Sequence, residues 1–231
     1  MNYELIIMNS ELPNNFLLIN KPAGWTSFDA VNYVRKKARI ETGDKKIRVG
    51  HAGTLDPFAT GLLIVGVGRE ATKRLDEFKK LPKTYVAKLR LGAVSDTYDV
   101  AGVIKEQGER VKGKVSDNEI LSVLEKFKGK QLQLPPMYSA KKIGGERLYK
   151  LARQGKEVER EPVMIEIFDI KILEYYWPHL TIEVACAAGT YIRSLAHDIG
   201  EKLGVGAYCE ELVRTRIGDY KLEDAREPGE V

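Results

Sequence analysis

The chain is poor in the residues that build stapled or metal-bound proteins. Its 231 residues include two cysteines, Cys186 and Cys209, and no CxxC pair. That excludes a disulfide framework and offers no zinc-ribbon spacing. The three histidines, His51, His179 and His197, lie far apart with no HxxxH or HExxH pattern, so no metal site is expected. The longest apolar run, Leu62 to Val67, is about a third of a bilayer span, which leaves no transmembrane helix. Met1-Asn2-Tyr3-Glu4 lacks the basic start of a secretory signal. With 9 prolines the chain is neither collagen-like nor low-complexity. What is present, 43% hydrophobic and 30% charged residues, is the composition of a globular protein with a sizeable core. The expectation is a single cytoplasmic domain over residues 1–231, monomeric and without a membrane partner.

Net charge is only +4, but it is unevenly spread. Residues 126–156 hold nine bases (Lys126, Lys128, Lys130, Lys141, Lys142, Arg147, Lys150, Arg153 and Lys156) against Glu146. A second run, Arg35 to Arg48, holds seven bases against Glu41 and Asp44. Such local excess is the electrostatic footprint of a phosphate-backbone binder, although a solvated lysine-rich face has the same composition. Tyr138, Tyr149 and Gly144-Gly145 within the first segment favour RNA.

Hydrophobic spacing predicts strands at Phe16 to Asn20, Leu62 to Val67, Thr84 to Leu91 and Glu210 to Thr215. It also predicts two adjacent strands carrying Ile165, Ile167, Ile170 and Ile172, then Leu180, Ile182, Val184 and Cys186. Thr26 with Asp29, and Ser116 with Glu119, read as capping boxes. The first opens a helix with Val31, Val34 and Ala38 on one face, the second a helix with Ile120, Leu124 and Phe127 aligned. Ile192 to Leu203 is a helix ended by Gly204, and Pro135-Pro136 starts a long irregular basic segment. Strands outnumber helices and often follow one another, so the class is α+β with a mixed, mostly antiparallel sheet flanked by helices.

Gly66-Val67-Gly68-Arg69-Glu70-Ala71 matches the GxGxxA of a dinucleotide-binding turn. No acidic residue ends the next strand, and the βαβ alternation is missing, so a tight strand-to-helix turn is the better reading. Asp96 and Asp99 could supply half of a hard-cation site, but no third carboxylate follows. No cofactor is expected.

The informative stretch is Gly50-His51-Ala52-Gly53-Thr54-Leu55-Asp56-Pro57-Phe58-Ala59-Thr60-Gly61. Its glycines, proline and threonines enforce a tightly turned loop around one histidine and one carboxylate. Taken alone, Asp56 beside Pro57 reads as a turn residue. Taken with its companions, the string resembles the signature loop of the TruB family of tRNA pseudouridine synthases. The resemblance runs from Phe16 to about Asp224. It includes Asn20-Lys21-Pro22-Ala23-Gly24-Trp25-Thr26-Ser27, Lys83-Thr84-Tyr85, Asp96-Thr97-Tyr98-Asp99-Val100-Ala101-Gly102, Pro135-Pro136-Met137-Tyr138-Ser139-Ala140 with Leu148-Tyr149 and Ala152-Arg153-Gln154-Gly155, Gly189-Thr190-Tyr191-Ile192-Arg193-Ser194-Leu195 and Leu212-Val213-Arg214-Thr215, in the family's order.

That resemblance implies the pseudouridine synthase fold. It also implies isomerisation of the T-loop uridine at tRNA position 55, with Asp56 as the catalytic carboxylate. Tyr85 would stack on the flipped base, His51 would fill the space the base vacates, and Tyr191 and Leu212 would complete an apolar pocket. Arg193 is the expected guanidinium partner of Asp56, because a planar fork matches a carboxylate better than an ammonium does. Lys141, Lys142 and Arg147, in the insertion of about residues 126–156, would grip the T-arm, while Lys21 and Pro22 would brace the catalytic loop. The expectation is a short form without the PUA domain that many family members carry. The rival readings are a guide-RNA-dependent box H/ACA-type synthase and a non-catalytic tRNA-folding chaperone.

Overall fold

The computed structural model describes residues 12–107, 115–138, 142–143, 146–147, 151 and 158–230. The chain divides into two compact units, residues 1–85 with 212–231, and residues 86–211.

In the first unit, β1 (Phe16–Lys21) pairs antiparallel with β3 (Thr60–Val67), Phe16 opposite Gly66 and Lys21 opposite Gly61. The short β2 (Val49–His51) pairs antiparallel with β3 as well. The segment 212–217 of β12 (Ala207–Ile217) runs parallel to β3, with Val213 opposite Thr60, and then pairs with β13 (Tyr220–Lys221). The sheet is therefore mixed. Helix α1 (Ser27–Thr42) starts at Thr26, whose side chain accepts from Asp29 N while Asp29 caps Thr26 N. It ends at Gly43, whose left-handed backbone (φ 70°) suits a residue without a Cβ. Its buried face, Ala30, Val31, Val34 and Ala38, packs with Leu17, Ile19, Leu63 and Val65. The opposite face of β1 and β3, Phe16, Leu18, Leu62 and Ile64, meets Leu75 and Phe78 of α2 (Gly68–Lys79). The GxGxxA string is the turn between β3 and α2, with Gly68 at φ +86°.

β4 (Lys83–Leu91) begins in the first unit and ends in the second. The second unit then holds β5 (Ala93–Ser95) antiparallel to β6 (Ile104–Glu106). A second ladder joins β7 (Gly129–Gln133), β10 (Val163–Tyr176) and β11 (His179–Cys186), all antiparallel. Ile167 faces Cys186, and two register shifts in β10 follow, at Ile167/Asp169 and Ile172/Glu174. The Ser116–Glu119 capping box opens α3 (Asp117–Glu125). Phe127, expected on this helix, lies beyond its end; it is buried all the same. Helix α4 (Ile192–Leu203) ends at left-handed Gly204 as expected.

The segment after Pro135-Pro136 is not wholly irregular. β8 (Lys142–Ile143) and β9 (Glu146–Arg147) form a two-stranded antiparallel ladder, Lys142 opposite Arg147. Lys141 lies outside the described residues.

Candidate active site

Asp56 sits half-buried in the loop between β2 and β3. Four anchors hold that loop, and each satisfies a backbone group that a turned segment leaves unpaired. The Ser27 hydroxyl, at the start of α1, donates to the Leu55 carbonyl at 3.1 Å and accepts from Leu55 N at 2.8 Å. Gly24 N donates to the Pro57 carbonyl at 2.8 Å, and Ala59 N to the Asp56 carbonyl at 3.1 Å. Lys21 is fully buried, and its Nζ donates to the carbonyls of Trp25 (2.7 Å), Pro22 (2.9 Å) and Pro57 (3.5 Å). Burial lowers its pKa to about 8, against the opposing pull of the Asp56 charge.

The fourth anchor is Arg214 on β12, whose Nε donates to the Leu62 carbonyl at 2.7 Å and whose guanidinium also reaches the Gly53 carbonyl at 3.2 Å. It is 1% exposed, so these carbonyls and its other neighbours replace water around a buried charge. Gly61 allows the close strand approach: a Cβ there would lie 2.4 Å from the Arg214 carbonyl oxygen, and its φ is +103°.

His51 ends β2 and is half-buried. Burial lowers its pKa, so the ring is neutral at pH 7. Its Nδ1 has no partner among the described residues. Tyr85 and Leu212 are both buried, on β4 and β12. Lys83, two residues before Tyr85, donates its Nζ to the carbonyls of Lys79, Leu81 and Phe78, which closes the C-terminal end of α2.

In the second unit, Arg193 lies in the first turn of α4 and is buried. One terminal nitrogen donates to Asp99 Oδ2 at 3.0 Å and to the Thr97 carbonyl at 3.1 Å; the other donates to the Tyr138 carbonyl at 2.8 Å. Asp99 Oδ1 in turn accepts from Thr97 Oγ1 at 2.6 Å and from Ala101 N at 2.9 Å. Asp96 Oδ1 accepts from Val103 N. These two carboxylates, candidates for half a cation site, are thus engaged with a guanidinium and with turn amides. Among the described residues no group of three potential ligands could hold a metal ion.

Tyr191 is half-buried and stands at the N-cap position of α4, without a side-chain capping bond. Its amide donates to Gln133 Oε1 at 2.8 Å and its carbonyl accepts from Gln133 Nε2 at 3.0 Å. The sequence places Ser27, Asp99 and Arg214 within the family's motifs without showing what they hold, and it does not single out Gln133 at all. Their partners are remote in the chain, and no spacing rule reports them.

A third feature belongs to the first unit. Arg35, Ile47, Arg48, Val49, Gly50, Thr72 and Lys73 line a shallow groove of about 470 Å³ with no acidic side chain in its wall. Arg35 is fixed there by the Val49 carbonyl at 3.0 Å and by Asn32 Oδ1 at 2.6 Å.

Two family models match this chain in series: the N-terminal domain of TruB family pseudouridylate synthases over residues 36–192, and the C-terminal domain of tRNA pseudouridylate synthase B over residues 193–227. They define a pseudouridine synthase, an RNA-modifying isomerase with an α+β fold. The chain belongs to the TruB family. It is 48% identical over 217 residues to tRNA pseudouridine synthase B of Thermosipho melanesiensis, covering 94% of this chain and 68% of the relative. It is 45% identical over 212 residues to the protein of the same name from Bacteroides fragilis, covering 92% and 90%. A solved chain from a Cbf5–Nop10–Gar1 complex matches with a TM-score of 0.69 and 30% identity, over 92% of this chain and 51% of that one. The chain therefore spans about half the length of that solved relative. Among the described residues no helix is long and apolar enough to cross a membrane.

Proposed function

We propose that the protein converts uridine to pseudouridine at position 55 in the T-loop of tRNA, acting alone in the cytoplasm, with Asp56 as the catalytic carboxylate. The observation that carries this reading is the loop around Asp56. Leu55, Pro57 and Gly53 are each tied to a different element, so the carboxylate is presented from a pre-organised backbone. That the curated relatives at 45–48% identity are named for tRNA supports the substrate.

The reaction breaks the N1–C1′ bond, turns the base, and forms a C5–C1′ bond. C5 loses a proton and N1 gains one, so the change is an isomerisation needing no outside oxidant or reductant. The uridine must first leave its loop, at a cost of a few kcal/mol that RNA contacts offset. His51, neutral at pH 7, is assigned to the vacated space. Tyr85 is assigned to stacking on the base, Leu212 and Tyr191 to the apolar wall, and Arg193 to the reacting carboxylate. Lys141, Lys142 and Arg147 are assigned to the T-arm phosphates, and the Arg35–Arg48–Lys73 groove offers further cations to the backbone.

The test is incubation with an unmodified tRNA transcript and no guide RNA, followed by chemical mapping of pseudouridine as reverse-transcription stops. A stop at position 55 with wild type and none with Asp56→Asn is the expected result. Modification only when a guide is added would favour the box H/ACA-type reading. RNA refolding that survives loss of Asp56, with no modification at all, would favour the chaperone.

A further inference from the structure

Among the described residues only Asn15 and Tyr98 adopt positive φ without being glycine, and Tyr98 does so at 64°. A bulky aromatic residue in the left-handed region is strained, so neighbouring interactions must hold it there. Its amide donates to the Ser95 carbonyl at 3.1 Å, and its carbonyl accepts from Cys209 N at 2.9 Å. Its ring lies flat on His197, with centroids 4.1 Å apart and planes 11° from parallel.

His197 stands one helical turn after Arg193 on α4, so both side chains leave the same face of the helix. Arg193 grips Thr97 and Asp99, and His197 covers the residue between them. The left-handed twist at Tyr98 lets the carbonyl at 97 and the carboxylate at 99 meet one guanidinium nitrogen.

We propose that the Tyr98–His197 stack is a positioning clamp that fixes the Asp99–Arg193 pair in register for catalysis. Tyr98 and His197 are positioning residues here; they act through Arg193. The inference rests on the role assigned to Arg193 above. A stack that merely filled space would be felt in stability, whereas a clamp is felt in the rate of the chemical step at unchanged RNA affinity.

Glycine separates the two, because it adopts positive φ freely and yet removes the ring. In Tyr98→Gly the backbone strain is relieved while the ring contacts are lost, so the melting temperature changes little. Single-turnover pseudouridylation of a tRNA transcript slows about tenfold while its Kd is unchanged. Tyr98→Asn, which also tolerates the left-handed region, gives the same split and serves if the glycine variant folds poorly. Tyr98→Phe keeps the stack and restores most of the rate. His197→Ala slows the step to the same extent, and the double variant is no slower than either single one, as expected for two residues acting as a unit.

Arg193→Lys is measured alongside. A slow Arg193→Lys with full rates in Tyr98→Gly and His197→Ala would overturn the clamp alone. Full rate in Arg193→Lys would overturn the site assignment and the clamp with it. Weakened tRNA binding at an unchanged single-turnover rate in Tyr98→Gly would also overturn the clamp, by making the ring an RNA contact.

Discussion

Arg193 and Asp99, 94 residues apart, form a buried ion pair at 3.0 Å in which the two side chains are only 4% and 6% exposed. A pair so placed is strongly destabilising to break, because either charge left alone has no water around it. Asp99→Asn is therefore expected to lower both the melting temperature and the turnover rate. Arg193→Lys keeps the charge but loses the fork that serves Asp99, Thr97 and Tyr138 together, so its rate falls as well. Thermal unfolding beside single-turnover kinetics checks both; normal values in either variant would show that the pair is dispensable.

Asp56→Asn keeps the shape of the side chain and removes its charge and basicity. Turnover on a tRNA transcript is expected to fall by roughly a hundredfold to ten-thousandfold, with filter-binding affinity within a few-fold of wild type. Turnover within tenfold of wild type would remove Asp56 from the chemistry.

Lys21 supplies a pH signature. Its pKa is about 8 in the folded protein and near 10.5 when exposed. Between those values the unfolded chain binds the proton that the folded chain has released, so this residue makes stability rise with pH across that window. Denaturant midpoints of wild type and Lys21→Met, compared at pH 8 and pH 10.5, should diverge in favour of wild type as pH rises. Parallel curves would mean that the buried ammonium has an ordinary pKa.

Gly61→Ala brings a Cβ to 2.4 Å from a backbone oxygen at a φ of +103°. Neither the strand nor Arg214 can step aside without losing the parallel register of β3 and β12. A loss of about 2–3 kcal/mol in unfolding free energy is expected, measured by chemical denaturation.

Replacing Lys141, Lys142 and Arg147 together by alanine should raise KM for tRNA with kcat held. It should also flatten the dependence of log K on log salt by about two to three units, near one per lost phosphate contact. Arg48→Ala in the basic groove tests that surface by the same assay, with a change near one.

The elements written in local chemistry were legible in the sequence. Thr26 with Asp29 and Ser116 with Glu119 form the two capping boxes that their spacing predicts. The alternation along 165–186 gives the β10–β11 ladder, although not its two register shifts, which depend on packing. The strand at Glu210 to Thr215 was three residues short at its start, because Ala207, Tyr208 and Cys209 are all buried and do not alternate. What the sequence hid is long-range. Nothing near Arg193 announces that Asp99 holds it, for in the sequence the aspartate reads as a motif residue or as half of a cation site. Nothing near Gln133 shows that its amide clamps Tyr191, 58 residues on. Polar partners across such separations leave no period to read.

Arg214 has a consequence for synthesis. It reaches Gly53 and Leu62 across 161 and 152 residues of sequence, so the loop that carries Asp56 emerges from the ribosome long before this brace exists. At about 5–20 residues per second the interval is roughly 8–30 s. During that time the nascent chain carries its carboxylate on an incompletely braced loop. A nascent chain cut off before β12 would keep the Gly50–Gly61 signature intact and still lack one of the ties that organise it.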